Sequence, residues 1–132
     1  MTTDLLTIDG RMSRARYARM TLFALLLMCL GSILLVFPWV MSRTNGVELA
    51  PLGLSSFFGL VQMALGLCIA VTSSIRRMHD MGWNVLWLGL CAVPVEIVAI
   101  PALVVLSLAM SFVRGVAGPN PHGPDPAAPA PD

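Results

Sequence analysis

Arg76, Arg77, His79 and Asp80 stand together in the stretch RRMHD, between two long apolar runs. On a helix Asp80 lies four residues after Arg76 and three after Arg77, so it can pair with either arginine on one face. His79 is three residues from Arg76, and an imidazole has an ordinary pKa of about 6.5, which suits proton transfer. A His-Asp pair can also orient a nucleophile, but no Ser or Cys stands at a motif spacing from this one. A metal would need more ligands than His79 and Asp80, and His122 belongs to the C-terminal tail. These residue types therefore predict no catalytic, cofactor or metal site. They predict an ion-pair cluster that can contact anionic lipid or a partner membrane protein.

Two further groups bear chemistry. In GRMSRARYARM, Arg11/Arg14 and Arg16/Arg19 are spaced i,i+3, which on a helix makes two basic pairs on different faces. Such a segment can hold phosphate headgroups or set topology. Glu96 is about twelve residues into an otherwise uncharged run. A carboxyl near mid-membrane is expensive and marks function by default. It supports an alternative reading as the titrating site of a small transporter or channel subunit. The other reading is a protonated carboxyl bonded to a carbonyl freed by a proline bend.

The elements that must position these groups follow from composition. Of the 132 residues, 57% are hydrophobic and 11% charged, against roughly 25% charged in a soluble domain. Too few charges remain to coat a soluble surface, so the sequence predicts an integral membrane protein. A net charge of +1, with eight arginines and no lysine, excludes a nucleic-acid footprint. The first charge-free run, 20–41, would span about 33 Å as a helix and cross a hydrocarbon core of about 30 Å. It is too long for a signal-peptide core. The second span is expected over about 52–75, where Ser55/Gly59 and Gly66/Ala70/Ser74 form small-residue rows suited to close helix packing or self-association.

The third run, 85–113, contains Pro94 and Pro101. Its 29 residues fall short of two spans at a minimum of about 17 each. The expected fold class is thus all-α, a bundle of three transmembrane helices with the third kinked by proline. The alternative is a re-entrant hairpin, giving four helices. The helical membrane domain covers 1–114, and residues 115–132, rich in Pro and Gly, form a flexible tail without a packed core.

Arginine placement sets the orientation. Arg11, Arg14, Arg16, Arg19, Arg76 and Arg77 share one side, with Arg43 opposite. The positive-inside rule puts the N-terminus in the cytoplasm. Arg114 faces outward with three spans and inward with a hairpin. Tyr17, Trp39, Trp83 and Trp87 fall near span ends, where aromatic rings sit at headgroup level. Cys29, Cys68 and Cys91 lie inside apolar runs and read as small hydrophobes.

Three polar motifs occur in order: Gly10, Arg11, Ser13, Arg14 and Tyr17; then Arg76, Arg77, His79, Asp80 and Gly82; then Gly118, Pro119, Asn120, Gly123, Pro124, Asp125 and Pro126. Together, with Trp87, they resemble the domain of unknown function 805 family, the YhaH-like small bacterial inner-membrane proteins. The resemblance covers nearly the whole chain. Departures are Ala18 for a frequent Trp, Trp83 to Leu86 where the family tends to have R-S-G-W, and Pro121-His122 for a basic-aromatic pair. Glu96 is outside the family pattern. The resemblance implies a multi-pass inner-membrane protein with no assigned reaction. If the three motifs meet in space, the tail motif, Asn120 included, must return to the cytoplasmic face, which favours the hairpin.

Overall fold

A computed structural model describes residues 8–45, 53–92 and 96–128. Among them every regular element is helical: α1 (Arg14–Asn45), α2 (Leu54–Met81), α3 (Leu86–Ala92) and α4 (Glu96–Phe112). The chain divides into two compact units, Thr21–Ala70 on one hand and Met1–Met20 with Val71–Asp132 on the other.

Within the first unit α1 and α2 run antiparallel and pack through glycine. A Cβ added at Gly59 would lie 2.6 Å from the Gly31 carbonyl oxygen, and one at Gly31 would lie 2.7 Å from the Gly59 carbonyl oxygen. At Gly66 it would meet Met28 Cγ at 2.7 Å and the Ala24 oxygen at 2.9 Å. Absence of a side chain is what allows the two backbones to approach. Of the expected rows Ser55/Gly59 and Gly66/Ala70/Ser74, Gly59 and Gly66 make these close approaches; they are seven apart, which is two turns of helix on one face. Around this seam the usual polarity is inverted. Ser56 is buried, while Leu22, Phe23, Leu26, Ile33, Phe37, Phe57 and Leu67 are exposed. Cys29 and Cys68 are exposed and neither is in a disulfide among the described residues, and the Arg43 guanidinium lies 4.8 Å from the Trp39 ring centre. Two helices, Arg14–Thr44 and Leu54–Met81, are long and apolar enough to cross a membrane.

In the second unit the third apolar segment departs from its expected form. It is two helices packed on each other rather than one kinked span. The described residues therefore form four helices, the number that the hairpin alternative gives. At about 1.5 Å per residue, the 7 residues of α3 and 17 of α4 are about 10 and 25 Å long. The length count failed because it required each half to cross a bilayer. It also ran one helix through Pro94, which falls between Ala92 and Glu96; proline disfavours the helical conformation in the residue before it. Asn84 caps α3, its Oδ1 accepting from the Leu86 N–H at 2.9 Å.

Helix α2 ends in a Schellman motif. Gly82 adopts φ +67°, the Trp83 N–H donates to the Met78 oxygen at 3.0 Å, and the Gly82 N–H donates to the His79 oxygen at 3.4 Å. The core of this unit is Met12, Tyr17, Met78, Met81 and Met110, with Leu88 and Leu106 against it. Tyr17 is fully buried rather than placed at a headgroup surface. Its phenol belongs to the packed start of α1, where the hydroxyl lies 3.5 Å from Ser74 Oγ.

Candidate functional site

The second unit brings the three polar motifs together around one carboxylate. Asp80, in the last turn of α2, is 3% exposed, and Arg77 one turn earlier is 0% exposed. Arg77 Nη1 donates to Asp80 Oδ2. Arg11 Nε donates to Asp80 Oδ1 at 2.9 Å, and Arg11 Nη2 is 2.9 Å from the same oxygen. Each carboxylate oxygen thus has its own guanidinium. Arg11 reaches Asp80 because it precedes α1, whose first residue is Arg14, so the i,i+3 helical pair expected for Arg11 and Arg14 does not form.

Both guanidiniums spend their other donors on backbone oxygens. Arg77 Nε donates to the Met110 oxygen at 2.7 Å, Nη2 to the Val113 oxygen and Nη1 to the Met12 oxygen at 3.2 Å. Arg14 Nη1 donates to the Phe112 oxygen at 3.3 Å. The last carbonyls of a helix lack intrahelical partners and carry partial negative charge. Arg77 and Arg14 supply both donors and positive charge to that end of α4. Arg11 Nη1 and Nη2 donate to the Gly118 and Val116 oxygens, and the Val116 N–H donates to the Asp80 oxygen at 2.9 Å. At Gly115 any Cβ would overlap the Asp80 carboxylate, so the chain passes there only as glycine.

The segment after α4 is organised by its own side chains. Asn120 Oδ1 accepts from the His122 N–H at 2.9 Å, and its Nδ2 donates to the His79 oxygen at 3.0 Å. Asp125 accepts from the Ala127 N–H at 2.9 Å and the Gly118 N–H at 3.1 Å. Those two backbone hydrogen bonds, Ala127's first, hold the Asp125 carboxyl below its ordinary value. The His79 and His122 rings stack with centres 3.8 Å apart and planes 4° from parallel.

Of the residues singled out by sequence, Arg11, Arg77, Asp80, His79 and Asn120 therefore meet, and Arg14 adjoins them at the end of α4. Asp80 takes Arg77 and Arg11 as its partners; Arg76 is half-buried, its Nη2 3.9 Å from where a Cβ on Gly10 would stand. Glu96 is the first residue of α4, and its side chain lies outside the described residues. Sequence reasoning set His122 apart from His79, and it did not find Gly115 or the acceptor oxygens of Met110, Val113, Val116 and Gly118. Backbone acceptors leave no mark on residue type. The spacing of the tail motif was the available signal. Among the described residues no group of three His, Cys, Asp or Glu side chains could hold a metal ion.

The family model described as Protein of unknown function (DUF805) matches residues 5–124, which include Arg11, Arg14, Arg77, His79, Asp80 and Asn120. Neither a curated protein nor a solved structure matches the chain.

Proposed function

We propose, for a chain that belongs to the DUF805 family, a non-enzymatic multi-pass protein of the bacterial inner membrane. Its arginine-rich end faces the cytoplasm and contacts anionic lipid or partner membrane proteins. The observation that carries this reading is the inverted polarity. A buried Arg11–Asp80–Arg77 cluster and buried serines sit inside the molecule, and an apolar sheath of leucine, valine and phenylalanine is turned outward. In water such a sheath would be costly, and in lipid it is the expected exterior.

Charge distribution supports the orientation. Seven of the eight arginines belong to the unit made of Met1–Met20 and Val71–Asp132, and Arg43 belongs to the other. The role given to Arg11 and Arg77 is internal. They hold the residues just before α1, the end of α2 and the end of α4 in one arrangement, which leaves outward contacts to the exposed arginines. A reporter fused after residue 128, active only in the cytoplasm, tests the topology. Activity is expected in cells, together with retention of the chain in carbonate-washed membranes. Silence of that fusion beside activity of a periplasmic reporter would overturn the orientation, and release by carbonate would overturn the membrane assignment.

A further inference from the structure

Next to the Asp80 cluster lies an open cleft of about 590 Å3, lined among others by Ser13 and Arg14 at the start of α1, Arg114 beyond α4, and Asp125. Arg77 and Asp80 also line it, but their polar atoms are engaged inside the protein. The other two arginines are not so engaged. Arg114 is exposed and has no hydrogen bond or ion pair among the described residues, and Arg14 is exposed with one bond at 3.3 Å. A guanidinium has five N–H donors in a fixed fork, so most of this donor capacity is unused.

We propose that this cleft binds a phosphate group, held between the Arg14 and Arg114 guanidiniums with the Ser13 hydroxyl as a further donor. Arginine forks from two separate elements suit an anion with several oxygens better than a single carboxylate. The carboxylates that line the cleft do not compete. Both Asp80 oxygens accept from Arg11 and Arg77, and both Asp125 oxygens accept from backbone N–H groups. Three arginines line the cleft against two aspartates, and Arg11 adds a fourth cation at Asp80, so the site carries excess positive charge. Phe112, Val113 and Val116, which flank Arg114 in the chain, are exposed apolar side chains. They give a lipid-borne phosphate a surface for its glycerol and acyl portion. The lipid source rests on the membrane reading above, whereas the phosphate chemistry does not.

The test uses the full chain in detergent, with phosphatidylglycerol, diacylglycerol and glycerol phosphate as probes and retained ligand counted by native mass spectrometry. Arg114→Gln and Arg14→Gln are expected to weaken phosphatidylglycerol retention about fivefold each. Arg19→Gln, which removes the same charge from α1 outside the cleft, is expected to leave it unchanged. Displacement of the lipid by excess glycerol phosphate would assign the site to a soluble phosphate ester, and lack of displacement would assign it to lipid; either supports phosphate recognition. Equal losses in Arg19→Gln and Arg114→Gln, or equal retention of diacylglycerol, which has no phosphate, would overturn it. A chain that stays in carbonate-washed membranes and keeps its helical circular dichroism, yet retains no phosphate, overturns the site and leaves the membrane reading standing.

Discussion

Arg11 and Asp80, 69 positions apart in the chain, meet at 2.9 Å with both side chains closed off from solvent. Arg77 completes the arrangement from the other side of the same carboxylate. Removing one member of a buried ion pair leaves an uncompensated charge, which typically costs about 3–5 kcal/mol. Asp80→Asn should therefore lower stability by about that amount, read as thermal unfolding in detergent. A loss under about 1 kcal/mol would mean that the two guanidiniums are neutralised elsewhere.

Arg77→Lys keeps the charge and removes the fork. Arg77 reaches Asp80, Met12, Met110 and Val113 in different directions, and an ammonium has three donors on one atom. At least one buried carbonyl is then left unpaired, at about 1–3 kcal/mol. The variant should unfold at lower temperature than wild type. Amide exchange should rise around the end of α4, while exchange in Thr21–Ala70 stays unchanged. A uniform rise over both units would contradict a local role.

Two glycines give a contrast between backbone and side-chain contact. Gly115→Ala pushes against the Asp80 carboxylate, and Gly59→Ala pushes against the Gly31 carbonyl oxygen at 2.6 Å. Overpacking of this kind costs about 1–3 kcal/mol. Asp80→Ala, which removes the carboxylate, should reduce the further effect of Gly115→Ala and leave that of Gly59→Ala intact. Additive losses in both double variants, measured by thermal unfolding, would argue against the Gly115–Asp80 contact.

Asp125 sets a pH dependence. Its folded carboxyl titrates below its ordinary value because the Ala127 and Gly118 N–H groups bond to the ionised form. The turn it holds is fully supported above pH 3.8, the ordinary value, and support is lost as pH falls through the lower folded value. The Gly118 and Ala127 amide proton shifts should move together on acidification, with a midpoint below 3.8. A midpoint at or above that value would remove the two hydrogen bonds as the cause.

The sequence made the long helices legible, since charge-free runs of more than 20 residues leave few alternatives. The family motifs singled out Arg11, Arg77 and Asp80, and left open whether they meet. Their division of labour was hidden. Whether Asp80 pairs with Arg76 or Arg77 depends on which face of α2 turns inward, and the i,i+3 and i,i+4 spacings both allow a pair. The burial of Tyr17 was hidden for a similar reason, because a tyrosine near the end of an apolar run suits either an interface or a core. Pro94 was visible, but length arithmetic outweighed it in the third apolar segment.

Asp80 also imposes an order on biogenesis. Arg11 and the Asp80–Arg77 pair leave the ribosome well before Met110, Val113, Val116 and Gly118, whose oxygens complete the coordination of both guanidiniums. Until those residues are made, the two arginines have their water shells as the alternative, so the nascent chain keeps this end hydrated. Closure of the cluster waits for those residues, and a chain truncated before residue 110 would present an unfinished polar end to the quality-control proteases of the cell.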